Sequence, residues 1–481
     1  MIIVRSARVR LAAGLLLAGA ALSACVVGPN YRRPPVATPP HFKEAEGWTP
    51  ANPADGIDKG AWWGVFNDPV LDGLERKVEI SNQTLAAAEA AYREAHAIVA
   101  EDRAQLFPTI GLTGSATTSR SGKTSSSSGT GSSGASRQYK VGGDASWAPD
   151  LWGKIRRTIE AAHATAQASA ADVANARLSA QSELAIDYFQ LRMSDADKAM
   201  LTETVTAYQK ALTVTQNKYN VGVAARSDVL TAQTQLTNAK ADLVDLDRQR
   251  TAAEHAIAVL IGQPPADLTI EPVADWSPGP PATPLQVPST ILQRRPDVAA
   301  AERSAAAANA QIGVAVSAYF PSLSLTADGG VSSGALGALF NSSATFWSLG
   351  ASVSETLLDF GARKAAVAQY RAAYDQTVAQ YRQTVLTAFQ NVEDALAAAR
   401  VLQDEQALRA EAADQAQQNV TITLNEYKAG TVDYTTVAAA QATALSARES
   451  LISVQASRMT EAVDLIQALG GGWSADELKG R

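Results

Sequence analysis

The sequence predicts an all-α-dominated membrane protein with a β-barrel portion, built on a helix–hairpin–helix plan that is used twice. Three observations carry that expectation. Residues 154–261 and 362–469 each hold no proline and a single glycine, Gly222 and Gly430, which lie 208 positions apart. Short stretches of strict apolar–polar alternation precede both long segments, which is the period of a strand with one apolar and one polar face. The composition also removes the common alternatives. With 41 basic against 48 acidic residues there is no positive surplus to meet a phosphate backbone, so no nucleic-acid partner is expected. Four histidines and one cysteine allow no soft-metal cluster, disulfide or Cys–His pair, and sparse aromatics with abundant alanine suit long, closely packed helices.

At the start, Arg5, Arg8 and Arg10 precede the apolar run Leu11 to Leu22, the layout of an export signal over residues 1–24. The run is too short for a permanent span, which needs about 20 apolar residues. Its end, Leu22-Ser23-Ala24-Cys25, resembles the lipobox of bacterial lipoproteins, which implies cleavage before Cys25 and a covalent lipid on it. No other cofactor is expected. Val26 stands where inner-membrane retention favours aspartate, so the resemblance implies the outer membrane. Residues 26–60 are proline-rich and aperiodic, as an extended leader should be. The segment 25–76 reads as that lipidated leader plus an equatorial piece.

Two repeats follow, 77–262 and 297–470, joined by a linker over 263–296 and closed by a tail over 471–481. Each opens with a helix (78–105 and 297–317) that stops before Pro108 or Pro321, because the residue ahead of a proline is pushed out of the helical region. Hairpins over 108–148 and 321–355 come next. Ile110 and Leu112 alternate with Gly111 and Thr113, and Val141, Ala145 and Trp147 with Lys140, Asp144 and Ser146. In the second copy Leu323, Leu325 and Ala327 oppose Ser324, Thr326 and Asp328, while Trp347, Leu349, Ala351 and Val353 oppose Ser348, Gly350, Ser352 and Ser354. Residues 114–136 contain 19 Ser, Gly or Thr in 23 positions, a composition that cannot bury enough apolar surface to order itself, and they read as a long solvent loop; Gly329 to Thr345 is its shorter counterpart.

Residues 154–218 and 362–426 then run 65 positions without a breaker, about 98 Å of helix at about 1.5 Å per residue. Gly222 and Gly430 reverse the chain, supplying the left-handed residue that a helix end favours. Asp228 and Asp433 lie near the start of the returning helices, where a carboxylate meets free amides. These returning segments, 228–261 and 434–469, are half as long. Each long rod therefore needs the returning helix and the repeat's first helix, stacked end to end, as its partner.

Four amphipathic strands cannot close a barrel, and open edges are not tolerated in lipid. Three chains supply twelve strands, so the expected assembly is a homotrimer with a 12-stranded outer-membrane β-barrel continued by a periplasmic α-helical barrel. Frequent amides on the rods, among them Gln233, Gln235, Asn238 and Gln418, sit more easily around a water-filled bore than in a dry seam. The competing expectation, a structural or adhesive envelope lipoprotein with projecting rods, predicts no conductance.

Several motifs carry a resemblance to a known family: Cys25 to Pro34, Trp62-Trp63 with Phe66-Asn67-Asp68-Pro69, Arg294-Arg295-Pro296-Asp297, Asn425 to Gln441, and Ala468 to Trp473. In this order around both repeats, they resemble the lipoprotein branch of the TolC-like outer membrane efflux proteins of resistance-nodulation-division (RND) systems. The resemblance implies a passive exit duct, not an enzyme, fed by a periplasmic membrane-fusion adaptor and an inner-membrane RND transporter. It implies a gate and adaptor-facing turns at Gly222, Arg226, Asp228, Tyr427, Gly430, Asp433, Tyr434 and Val437. Ala439 stands where relatives often carry an aspartate, which shifts closure to Asp433 or to an apolar constriction at Val437. Asp297 is expected as a helix N-cap, with Arg294 and Arg295 pairing around a collar. His41, His96, His163 and His255 are scattered and compose no catalytic constellation.

Overall fold

The computed structural model describes residues 26–44, 61–120, 135–276, 279–281, 294–471 and 473; the expected export signal, Cys25, the middle of the Ser/Gly loop and most of the tail lie outside them. A short 3₁₀ turn (Trp62–Phe66) leads into α1 (Pro69–Ser81) and α2 (Gln83–Ala104). The first hairpin is β1 (Thr109–Ser119) and β2 (Ser136–Trp147), followed by α3 (Lys154–Asn220) and α4 (Arg226–Leu260). The second repeat has α5 (Pro296–Ser317), β3 (Ser322–Ser333), β4 (Thr345–Ser354), α6 (Ala362–Ala429) and α7 (Tyr434–Ala468). Among the described residues no helix is long and apolar enough to cross a membrane.

Three boundaries differ from expectation. The first helix does not run from 78: the chain breaks at Asn82, whose side chain accepts from Leu85 N at 2.9 Å and caps a new helix. The preceding α1 was not anticipated, although Pro69 at its first position and Asp68, accepting from Val70 N and Leu71 N, mark its start. The strands reach further into the Ser/Thr-rich stretch than composition suggested, since β1 continues to Ser119. Hydroxyls make that possible by pairing across the ladder, as Ser119 Oγ and Ser136 Oγ do at 2.9 Å.

The described chain forms two compact units whose boundaries fall inside α2, α3, α5 and α6, so each repeat contributes to both. The unit of residues up to 34, 93–168 and 302–380 holds one antiparallel sheet in the order β1-β2-β3-β4. Register aligns its apolar positions into continuous rows: Ile110, Ala145, Ala327 and Leu349 lie side by side, as do Leu112, Gly143, Gly329 and Trp347. Polar rows alternate with them, one made of Gly111, Asp144, Asp328 and Ser348. The apolar face has no core against it. Leu112 is 84% exposed and Trp347 79%.

The leader is pinned to this unit by the motif around Gly28. Buried Arg157 donates to Val27 O at 3.1 Å, Gly28 O at 3.1 Å and Asn30 Oδ1 at 2.9 Å. Tyr31 Oη donates to Glu302 Oε1 at 2.6 Å, and Asn309 Nδ2 to Pro29 O at 3.0 Å. Gly28, at φ +93, lies so close to Gly313 that no side chain fits at that point.

The other unit, 35–92, 169–301 and 381–481, holds the larger hydrophobic core. Trp62, Trp63, Leu71 and Val78 pack against Leu184, Tyr188, Phe189 and Ile257. A second cluster joins Phe42 of the leader to Tyr381, Val385 and Phe389. Each fully buried side chain of this size contributes about 1.5–3 kcal/mol, so the leader and α1 are integral to the fold.

Candidate functional site

The two interhelical turns use the same device. Gly222 has φ +79 and Gly430 φ +83, and each closes the preceding helix with carbonyl contacts from the residues around it, Val223 N to Lys218 O at 2.8 Å and Thr431 N to Glu426 O at 3.0 Å. Beyond the glycines the two copies diverge. Asp433 is the N-cap of α7; its Oδ1 accepts from Thr436 N at 3.0 Å, Thr435 Oγ1 at 2.7 Å and Thr436 Oγ1 at 2.9 Å, and these donors hold the carboxyl below its ordinary range. In α4 the N-cap position is Ala225, which has no acceptor, and Asp228 in the first turn takes Ala225 N at 3.3 Å. Arg226 is exposed.

Tyr427, Tyr434 and Val437 do come together, but as a core. They pack with Ala211, Ala232 and Ala438 from both repeats. The rings of Tyr427 and Tyr434 meet edge to face at 5.5 Å and 67°. Val437 is 0% exposed and fills the interior of this helical cluster within one chain. Asp433 stays exposed, and its Oδ1 serves three hydrogen bonds at the start of its own helix, as its place beside free amides led one to expect.

Lys218 and Thr215, which carried no expectation, and Gln235, expected as one of the amides around a bore, hold this cluster together. Lys218 Nζ donates to Tyr427 O and sits 4.0 Å over the Tyr427 ring, where an ammonium meets both a helix C-terminus and a π face. Tyr427 Oη donates to Thr215 Oγ1 at 3.3 Å. Tyr434 Oη donates to Gln235 Oε1 at 3.1 Å, and Gln235 Nε2 donates on to Ala438 O at 3.0 Å. The signal in sequence was asymmetry between repeats: Lys218 answers Glu426 at the 208 offset, and Arg226 answers Tyr434.

Farther from the turns, Arg295 grips Asp297 through Nε–Oδ1 at 3.0 Å and Nη2–Oδ2 at 2.6 Å and donates from Nη1 to Ala468 O at 3.2 Å. Asp297 is therefore inside the first turn of α5, behind Pro296, and not its N-cap; it orients an arginine that satisfies a carbonyl at the end of α7. A buried polar network ties the linker to the rods. Asp195 receives Arg192 at 3.0 Å, Arg250 at 2.7 Å and Val273 N at 3.1 Å, while Tyr188 Oη donates to the helix-capping Asp68 at 2.6 Å. A cavity of about 440 Å³ nearby is lined by Asp197, Asp242, Asp245 and Glu449. Burial, then the Glu449 charge, pushes Asp197 up to about 7. Among the described residues no group of His, Cys, Asp or Glu is arranged to hold a metal.

The sequence profile of the family described as Outer membrane efflux protein matches residues 75–263 and 287–471. The chain is 31% identical over 460 residues to the probable efflux pump outer membrane protein TtgC of Pseudomonas putida, covering 94% of this chain and 93% of that one. It is 29% identical to the pyoverdine export outer membrane protein OpmQ of Pseudomonas aeruginosa, covering 89% and 90%. Its fold is similar to that of the outer-membrane channel OprN, with TM-score 0.85, 28% identity and coverage of 93% and 100%. It also matches the open state of the Neisseria gonorrhoeae MtrE channel, with TM-score 0.82, 28% identity and coverage of 94% and 99%.

Proposed function

The chain belongs to the Outer membrane efflux protein family, and from that premise we propose that it is the passive outer-membrane exit duct of a tripartite RND-type efflux system. The observation that carries the reading is the sheet: four strands with Ile110, Leu112, Trp347, Leu349 and Val353 of the apolar face exposed and, among the described residues, both outer edges unpaired. Such a sheet is unstable in water and in lipid until its edges are joined and its apolar face is covered. Three copies joined edge to edge form a 12-stranded barrel whose apolar rows meet lipid and whose polar rows, with Asp144 and Asp328, line the lumen. The paired helices below continue the conduit through the periplasm. A membrane-fusion adaptor docks on its helical turns, and an inner-membrane RND transporter supplies the energy.

The same reading makes the chain a lipoprotein, cleaved after Ala24 and acylated on Cys25, with the leader running from that anchor to the Gly28–Tyr31 clamp. Cargo is selected upstream of the duct; the similar proteins are named for toluene, antibiotics and pyoverdine although their chains share one plan. The test is reconstitution. Protein extracted from outer membranes should be trimeric by light scattering and should conduct ions in planar bilayers. Absence of conductance from verified trimers overturns the duct.

A further inference from the structure

We infer that β4 of one copy pairs with β1 of the next in a single register, Val353 opposite Gly114 of the partner subunit, sealed below by Phe360 stacked on Phe107 of the partner subunit. This rests on the trimeric reading above. The register itself comes from the internal repeat. Sequence motifs place β1 and β3 at an offset of 213 and β2 and β4 at 208. Applied to the first hairpin, those offsets turn the pair Ile110–Ala145 into Leu323–Val353 and Thr109–Ser146 into Ser322–Ser354, and both are the pairs observed in the second hairpin. The hairpins are thus equivalent residue by residue.

The chain contains one junction between repeats, β2 against β3, and the free edges β4 and β1 are the two halves of its counterpart. Moving Ala145 forward by 208 and Ala327 back by 213 converts their observed pair into Val353–Gly114. Trp147–Leu325 becomes Glu355–Leu112 in the same way. The result is consistent with the pleat, because Val353 and Gly114 both belong to apolar rows. A slip of one residue would set apolar rows against polar ones. A slip of two keeps the faces, so it is the competitor that an experiment must exclude.

The aromatic contact follows from the same operation. Trp152 stacks on Phe320 at 4.9 Å and 25°, and its Nε1 donates to Pro321 O at 2.7 Å. The counterparts are Phe360 and Phe107, which in the single chain are 93% and 69% exposed. The Phe360 ring carries no N–H, so this contact is stacking alone. Three positions depart from equivalence: Thr117 stands where Gly330 does, and a Cβ at Gly330 would strike the Val141 carbonyl, so the seam opens slightly there; Glu355 stands where Trp147 does; and Phe360 has φ +53, a left-handed backbone that Trp152 does not share.

Two double-cysteine chains test the register in native membranes, with Cys25 left in place and the unsubstituted chain as control. Directly opposed residues have Cβ atoms about 4.5–5.5 Å apart, against about 7–8 Å on the diagonal, and only the former suits a disulfide. Gly114→Cys with Val353→Cys should give covalent dimers and trimers on oxidation, at least tenfold faster than Gly114→Cys with Ala351→Cys. Faster linkage of the shifted pair, or no linkage of either in assembled trimers, overturns the register and leaves the duct standing. Loss of trimers from the unsubstituted chain would instead sink the reading beneath it. Phe107→Ala and Phe360→Ala should each lower the trimer's dissociation temperature in detergent, with no further loss in the double variant; fully additive losses overturn the stacking.

Discussion

Replacing Tyr427 tests whether the helical turns are held by the buried cluster. The ring supports Lys218 at 4.0 Å and meets Tyr434 at 5.5 Å, while its hydroxyl reaches Thr215 at 3.3 Å. Truncating a buried aromatic to alanine costs about 3–5 kcal/mol, a figure that already contains the edge-to-face and cation–π contributions of about 1 kcal/mol each. The Lys218 bond to the Tyr427 carbonyl is a backbone contact and survives. Tyr427→Phe removes only the hydroxyl, and Thr215 keeps its own bond to Ala211 O at 3.0 Å, so the loss is at most about 1 kcal/mol. The assay is amide exchange across residues 208–240 and 420–445 of detergent-solubilised trimers, with single-channel recordings alongside. Tyr427→Ala should raise exchange at both turns by roughly a hundredfold, since about 3 kcal/mol corresponds to that factor, and should increase conductance. Tyr427→Phe should stay within about fivefold. Equal effects of the two substitutions, or unchanged exchange in the alanine variant, would refute the claim that this packing holds the turns.

At Asp433, the asparagine variant should keep wild-type conductance because Asn caps a helix as well as Asp does, while Asp433→Ala should fray α7; matched phenotypes would show that charge and not capping matters there. Arg192→Ala should destabilise by about 3–5 kcal/mol, read as a lowered melting temperature, because it strands the buried Asp195 carboxylate beside a single remaining arginine. Burial lifts Asp197 and Glu461 to about 7 each, so the folded chain holds protons that the unfolded chain releases from about pH 4 upward. Stability should therefore fall as pH rises from about 4 to 7, and Asp197→Asn should flatten that slope in melts at pH 5.5 and 7.5. Intact-mass analysis should show residues 1–24 removed and acyl mass on Cys25; Cys25→Ser should lose the acyl mass and still assemble.

The elements that obey one strong period were legible in the sequence. Alternation in Leu323–Ala327 and Trp347–Val353 named the strands and their faces, because a pleated strand places every second side chain on the same side. Breaker spacing gave α3 and α6 nearly to the residue. What failed depends on tertiary context. The break at Asn82 is made by a cap whose side chain also donates to Leu260 O at 2.7 Å, a partner 178 residues away. Val437 was legible as lying beside a turn, yet whether such a residue faces water or a neighbouring helix depends on rotation of the helix. A weakly amphipathic, alanine-rich segment does not encode that angle.

The duplication is preserved where geometry forbids drift and relaxed where it does not. Inserting one residue in β3 would exchange its apolar and polar rows against both neighbours, so both hairpins keep one register through a common pair of offsets. A helical turn imposes no comparable constraint once its left-handed glycine is in place. There the copies have parted: Tyr219 is 40% exposed where Tyr427 is 4%, Arg226 answers Tyr434, and Ala225 answers Asp433. Each protomer therefore has one turn locked by an aromatic core and one whose Val221 and Val223 face solvent. In the proposed trimer three copies would make six turns of two kinds, so a perturbation confined to the Tyr427–Tyr434 cluster would act on one kind alone and leave the proposed barrel register untouched.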